Sequence, residues 1–215
     1  MQFSNARRGV HLIFVAAILK LIAEVLAGVV LGVSDAAYDG GAAAIIVIVG
    51  TVASLVLLII ALVQYLRGMT LAARDEGNFF TGALALVIVT IVVAVLEVIF
   101  NLIPSVSFTV GTSFNFVTDI FEVMITLFII DGIVNLFSLK NDSEMVHKGS
   151  NTGIFFAAAF ILSKAIELFY KSSLLQNGFN FEAAACIIFA VLYVVLAVIA
   201  YVKFILFLNK AQAKL

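Results

Sequence analysis

From Thr81 to Ile103 the chain reads TGALALVIVTIVVAVLEVIFNLI, 23 residues in which Glu97 is the one charge. A hydrocarbon core about 30 Å thick is crossed by roughly 20 apolar helical residues, so this stretch predicts a transmembrane helix. Five more stretches meet the same requirement, and together the six run about 10–33, 42–66, 81–103, 115–139, 153–175 and 183–208. The first follows Arg7 and Arg8 as a signal peptide would, but it is too long for an h-region and contains Lys20 and Glu24. It reads as a retained helix.

The whole composition agrees. Of 215 residues, 64% are hydrophobic and 12% charged, with a mean hydropathy of +1.24, which excludes a water-soluble fold. Lys+Arg 12 against Asp+Glu 13 leaves a net charge of -1, so there is no basic excess for a phosphate backbone and nucleic acid is not an expected partner. The single cysteine, Cys186, and two histidines supply neither an intramolecular disulfide nor a four-ligand zinc site. The expected fold is therefore an all-α integral membrane protein, with 1–215 as a single membrane domain and the lipid bilayer as its principal partner.

Orientation follows the cations, because Lys and Arg are retained on the cytoplasmic side. One set of helix ends holds Arg7, Arg8, Arg67, Arg74, Lys140, Lys148, Lys203, Lys210 and Lys214, and the other only Lys171. Both termini are expected in the cytoplasm. Tyr38 and Tyr170 fall near the outer interface, and Tyr65 and Tyr201 near the inner one. Short connections without a soluble module suit a bacterial cytoplasmic membrane.

An internal repeat organises the six helices. Asn5, Asn78 and Asn151 precede the odd helices at intervals of 73 and 73, in the contexts SNARRG, GNFFTG and SNTG. Each is a candidate helix cap, and each is followed by Gly9, Gly82 or Gly153. Glu24, Glu97 and Glu167 then lie 15, 15 and 14 residues beyond those glycines, and Arg67, Lys140 and Lys210 at the ends of the even helices repeat at 73 and 70. The expected architecture is three pseudo-repeated helical hairpins, approximately 5–77, 78–150 and 151–215, closing around a pseudo-threefold axis with the three glutamates converging. Mitochondrial carriers are similar in outline, but they carry P-x-[DE]-x-x-[KR] in each repeat and this chain has only Pro104. That family is excluded.

A carboxylate near a helix centre costs roughly 2.5–3.5 kcal/mol on insertion scales, so one at matching depth in every odd helix calls for a reason. At about 1.5 Å per residue the three glutamates lie roughly 21–24 Å from the cytoplasmic edge, and Asp119 and Glu122 on the fourth helix enter the same layer. Lys20 precedes Glu24 by four residues and Lys164 precedes Glu167 by three, spacings that place each pair on one helical face. Glu97, Asp119 and Glu122 have no local lysine, so they must take up protons, meet lysines across the bundle, bind a cation or face water. The candidate ligand-binding residues are thus Glu24, Glu97, Glu167, Asp119, Glu122, Lys20 and Lys164, with any metal unspecified.

Ala16, Ala17, Ala23, Ala27 and Gly28 flank the Lys20 and Glu24 face, and Gly50 with Ser54 forms a small-xxx-small pair. These mark helix approaches and place the charged face of the first helix inside the bundle. Asp131 and Asn135 share a face near the cytoplasmic end of the fourth helix, beside Gly132, where an inner vestibule or an irregular turn is one reading and contact with a neighbouring helix the other. No catalytic residue is expected: Cys186 sits in an apolar run, His11 enters the first helix and His147 lies in KNDSEMVHKG, so no nucleophile has an evident base. There is no phosphate loop or H-E-x-x-H, and no cofactor is expected.

The expected function is binding or transport of a cation or cationic small molecule through an acidic intramembrane site, with protons as a candidate coupling ion. The alternative is a non-transporting interaction or structural protein whose buried charges fix helix packing. The residues identify no protein partner.

Overall fold

The connection around Asn141 shows how one helix closes and the next begins. Leu139 is the last residue of one helix and Ser143 the first of the next, and Asn141 between them takes a positive φ of 56°. The Asn141 N–H donates to the Ser138 carbonyl and the Asp142 N–H to the Phe137 carbonyl, both at 3.0 Å, which is the Schellman closure with Asn in the left-handed position. Asp142 then caps the following helix: its Oδ1 accepts from the Met145 N–H at 3.0 Å. A three-residue turn suffices where the sequence suggests a connection from Lys140 to Thr152.

The computed structural model describes residues 3–36, 41–101, 107–174 and 181–215 of the backbone. It contains six helices, α1 (Ser4–Ala36), α2 (Gly41–Ala72), α3 (Gly77–Asn101), α4 (Ser107–Leu139), α5 (Ser143–Leu174) and α6 (Phe181–Lys214), and no strand among the described residues. All six are long and apolar enough to cross a membrane. Their number matches the sequence reading, but the helices extend past the apolar runs. The additional turns are polar, because a helix needs apolar residues only over the hydrocarbon and continues into the interfacial layer wherever no Pro or cap stops it.

The described chain gathers into two units, one of Glu76–Phe207 and one of Gln2–Asp75 with Leu208–Leu215. In the second of these, α1 packs on α2. Gly9 and Gly68 bring the two backbones together: a Cβ on Gly68 would stand 2.7 Å from the Gly9 carbonyl oxygen, which a rigid helix cannot yield. Farther along, a side chain at Gly50 would collide with Val30, and Ser54 is buried beside it. The small-residue reading of α2 therefore describes a packing seam. On α1, Ala16, Ala17 and Ala23 are buried, whereas Gly28 has no heavy atom within 4 Å of a Cβ placed there.

In the Glu76–Phe207 unit, α3 packs on α4 and α4 on α5. The Phe79 and Phe128 rings lie 6.3 Å apart, and Gly132 leaves room for the buried Phe80 ring, which would be 2.8 Å from a Cβ at that position. Gly132 thus serves helix packing within a continuous α4, not an irregular turn. Phe156 meets Phe204 of α6 edge-on at 5.5 Å, and Gly149 admits Val134 and Phe207. Each glycine in these seams receives a large side chain from a facing helix, which gains dispersion contacts without a polar group being buried.

Large apolar side chains remain exposed all along several helices, among them Ile45, Ile48, Val52, Leu55 and Ile59 on α2, and Val95, Val98 and Ile99 on α3. Helices apolar on nearly every side suit hydrocarbon and not water as solvent.

Candidate functional site

Among the described residues, the charges inside the apolar stretches include two ion pairs. In the α1 and α2 unit, Lys20 Nζ stands 3.6 Å from Glu24 Oε1, one turn apart on α1, as the spacing predicts. The two side chains remain 44% and 52% exposed, so this pair lies at the edge of the buried alanine seam and not inside it.

In the other unit, Lys164 Nζ reaches Asp119 Oδ2 at 2.6 Å, joining α5 to α4. The lysine is 15% exposed and the aspartate 52%, and the ammonium also lies 5.9 Å from the Phe160 ring centroid. Sequence spacing gave Lys164 to Glu167. Across the α4 and α5 seam Lys164 also meets Asp119, a carboxylate that local spacing does not offer it. The Glu167 side chain lies outside the described residues, as do those of Tyr38, Tyr170, Asn101 and Cys186.

Glu122, one turn from Asp119 on α4, is exposed, and its carbonyl accepts the Thr126 hydroxyl at 3.0 Å. Glu97 on α3 is half-buried, and no hydrogen bond or ion pair joins it to another described residue. Among the described residues, no three His, Cys, Asp or Glu side chains gather closely enough to hold a metal ion. The unit thus presents Lys164 paired across a seam, with Glu97 and Glu122 on helices neighbouring that seam.

A second set of acids was not anticipated from sequence. Glu76 is only 4% exposed, and its Oε2 accepts the Phe79 N–H at 3.0 Å and the Phe80 N–H at 3.4 Å. Its Oε1 accepts Asn135 Nδ2 at 3.3 Å. A carboxylate here satisfies orphan amides of α3 and lies at the positive end of its dipole. Asn135 is thereby tied to α3, and the vestibule suggested for the Asp131 and Asn135 face is replaced on the Asn135 side by a helix contact. In the α1 and α2 unit, Asp75 accepts from the Ala6 N–H at 2.8 Å and from Asn5 Nδ2 at 3.0 Å.

Ala6, Phe79 and Met145 occupy the same position in the first turns of α1, α3 and α5, and each donates its amide to a carboxylate. The caps are Asp75, Glu76 and Asp142, not the asparagines. Asn5 and Asn78 sit within the first turn of their helices, and Asn151 lies well inside α5. At α3 and α5 the sequence signal is an acid immediately before the helix start, in DEG and NDS; Asp75 reaches α1 from the far end of α2, a meeting that no local spacing encodes. At the same end of α1, His11 Nδ1 and Gln212 Oε1 are 2.6 Å apart, and Arg7 Nε donates to the Gln212 carbonyl at 3.1 Å.

Compared with known protein families, curated proteins and solved structures, the chain has no significant match. Its class therefore rests on its own architecture: six helices fit to cross a membrane, with no strand among the described residues, and carboxyls within the helices.

Proposed function

We propose that the chain is an integral membrane protein that binds or transports a cation or cationic small molecule through its intramembrane carboxyls, with protons as a coupling ion. The observations carrying this reading are the Asp119 and Lys164 pair between α4 and α5 and Glu97 on α3, a half-buried carboxyl within a candidate span. Across the apolar stretches, Glu24, Glu97, Asp119, Glu122, Asp131 and Glu167 outnumber Lys20 and Lys164 together with Lys171 and Lys203 near the helix ends. A surplus of carboxyls in a low-dielectric layer favours cations or held protons. The chain is read as a non-enzyme without a cofactor.

The three-hairpin repeat belongs to the same proposal. It is supported by the spacing of Glu24, Glu97 and Glu167 and by the matching carboxylate caps of α1, α3 and α5. The basic helix ends support both termini inside, and the short connections suit a bacterial cytoplasmic membrane. One observation favours the structural alternative: Lys20 and Lys164 each have a carboxylate partner already, and ion pairs can specify packing without needing a ligand.

The two readings separate at Glu97. Thermal stability of purified wild type and Glu97→Gln is measured against metal ions, amines and cationic metabolites at two pH values. Cation binding predicts a ligand-dependent upward shift in the wild type that the variant loses. No shift in the wild type, with Glu97→Gln at least as stable, leaves the structural reading.

A further inference from the structure

A shallow groove of about 500 Å³ lies between α1 and α2, lined by Leu12, Leu66, Arg67, Thr70 and Leu71. It is set back from the helix ends, since Arg67 precedes the end of α2 at Ala72 by five residues and Leu12 follows the start of α1 at Ser4 by eight. At 1.5 Å per residue that is roughly 8–12 Å, the depth at which headgroups give way to acyl chains. The Thr70 hydroxyl is engaged by the Leu66 carbonyl at 2.8 Å, so the groove is apolar apart from Arg67.

Charge decides what fits it. Arg67 and Arg8 are exposed, and among the described residues neither has an ion-pair partner. Arg8 precedes Leu12 by one turn, on the same side of α1. Asp75, the acid of this end, is engaged by Asn5 and the Ala6 amide. An uncompensated guanidinium over an apolar groove matches an amphiphile with an anionic head, because guanidinium forks bind phosphate oxygens in paired hydrogen bonds. Basic pockets between helices on the cytoplasmic side take anionic headgroups by this chemistry.

We infer that the groove between α1 and α2 is a binding site for an anionic phospholipid, its phosphate on Arg67 with Arg8 adjacent and an acyl chain along Leu12, Leu66 and Leu71. The inference rests on the reading that these helices cross a bilayer, but not on cation binding. The site occupies the α1 and α2 unit and uses none of the carboxyls assigned to the cation.

The test is lipid retention by the full chain purified in neutral detergent, using phosphatidylglycerol and phosphatidylcholine of identical chains, with inorganic phosphate as a competitor. The expected result is selective retention of phosphatidylglycerol by the wild type, weakened about fivefold in Arg67→Gln and in Arg8→Gln. Arg74→Gln, at the same end but outside the groove, is expected to retain it as the wild type does. Millimolar phosphate is expected not to displace the lipid, since it lacks the acyl chain; displacement would make the site one for free phosphate and overturn the proposal. Equal retention of the two lipids, or an equal loss in Arg74→Gln, would also overturn it. Recovery of the chain from cells without detergent would overturn the membrane reading along with it.

Discussion

Glu76→Ala is expected to destabilise the protein by about 2–4 kcal/mol, the sum of a lost helix cap and a buried amide left without its acceptor. The substitution removes the oxygens that accept from Phe79, Phe80 and Asn135, in a place where water has little access because Glu76 is buried. Glu76→Gln retains size and an acceptor oxygen, and it should lose about 1 kcal/mol through the missing charge at the dipole. Asp142→Ala provides the comparison: it removes a single cap bond at a more open turn and should cost about 1 kcal/mol. Denaturation in detergent, followed by helix content, checks the order. Equal losses for Glu76→Ala and Asp142→Ala would show that burial of Glu76 contributes nothing.

Lys164→Met is the second large effect. In hydrocarbon it strands the Asp119 carboxylate, and breaking such a pair by removal of one partner costs about 3–5 kcal/mol; replacing both partners by apolar side chains is often neutral or stabilising. Lys164→Met with Asp119→Leu should therefore recover most of what Lys164→Met loses. Were the pair bathed in water, Lys164→Met would cost only about 0–1 kcal/mol. Thermal unfolding of the three proteins in lipid nanodiscs distinguishes these outcomes, and a loss near zero for Lys164→Met would place the pair outside the hydrocarbon.

These two sites also show which features of the fold were legible in sequence. The six helices were, because continuous apolar runs report the solvent they meet without any knowledge of how they pack. Lys20 and Glu24 were legible as a pair for a similar reason, since four residues along one helix fix their separation. Asp119 and Lys164 lie 45 residues apart, and their meeting depends on the rotation of α4 against α5, which no local spacing encodes. Asn135 likewise seemed to belong with Asp131 by periodicity, but the packing of α3 on α4 brings it to Glu76.

The helix starts were misread for a different reason. Asn5, Asn78 and Asn151 have cap chemistry, but so do Asp142 and, at α3, Glu76; competition among capping side chains is settled by which one sits where the chain leaves helical geometry. At α5 that point is fixed by the left-handed Asn141 and the Schellman turn, so the helix begins well before Asn151. The acids Asp75, Glu76 and Asp142 are the ones that cap α1, α3 and α5.

The central claim is that six helices cross a bilayer and carry their carboxyls within it. Ser107 and Ser143 stand at the starts of α4 and α5, separated by the full length of α4, and they test that claim most directly. In a Cys186→Ala background, Ser107→Cys and Ser143→Cys are labelled in intact cells with a membrane-impermeant thiol reagent, before and after the membrane is opened. Labelling at position 107 from outside and at 143 only after opening is the expected result. Labelling of both positions from the same side would contradict it.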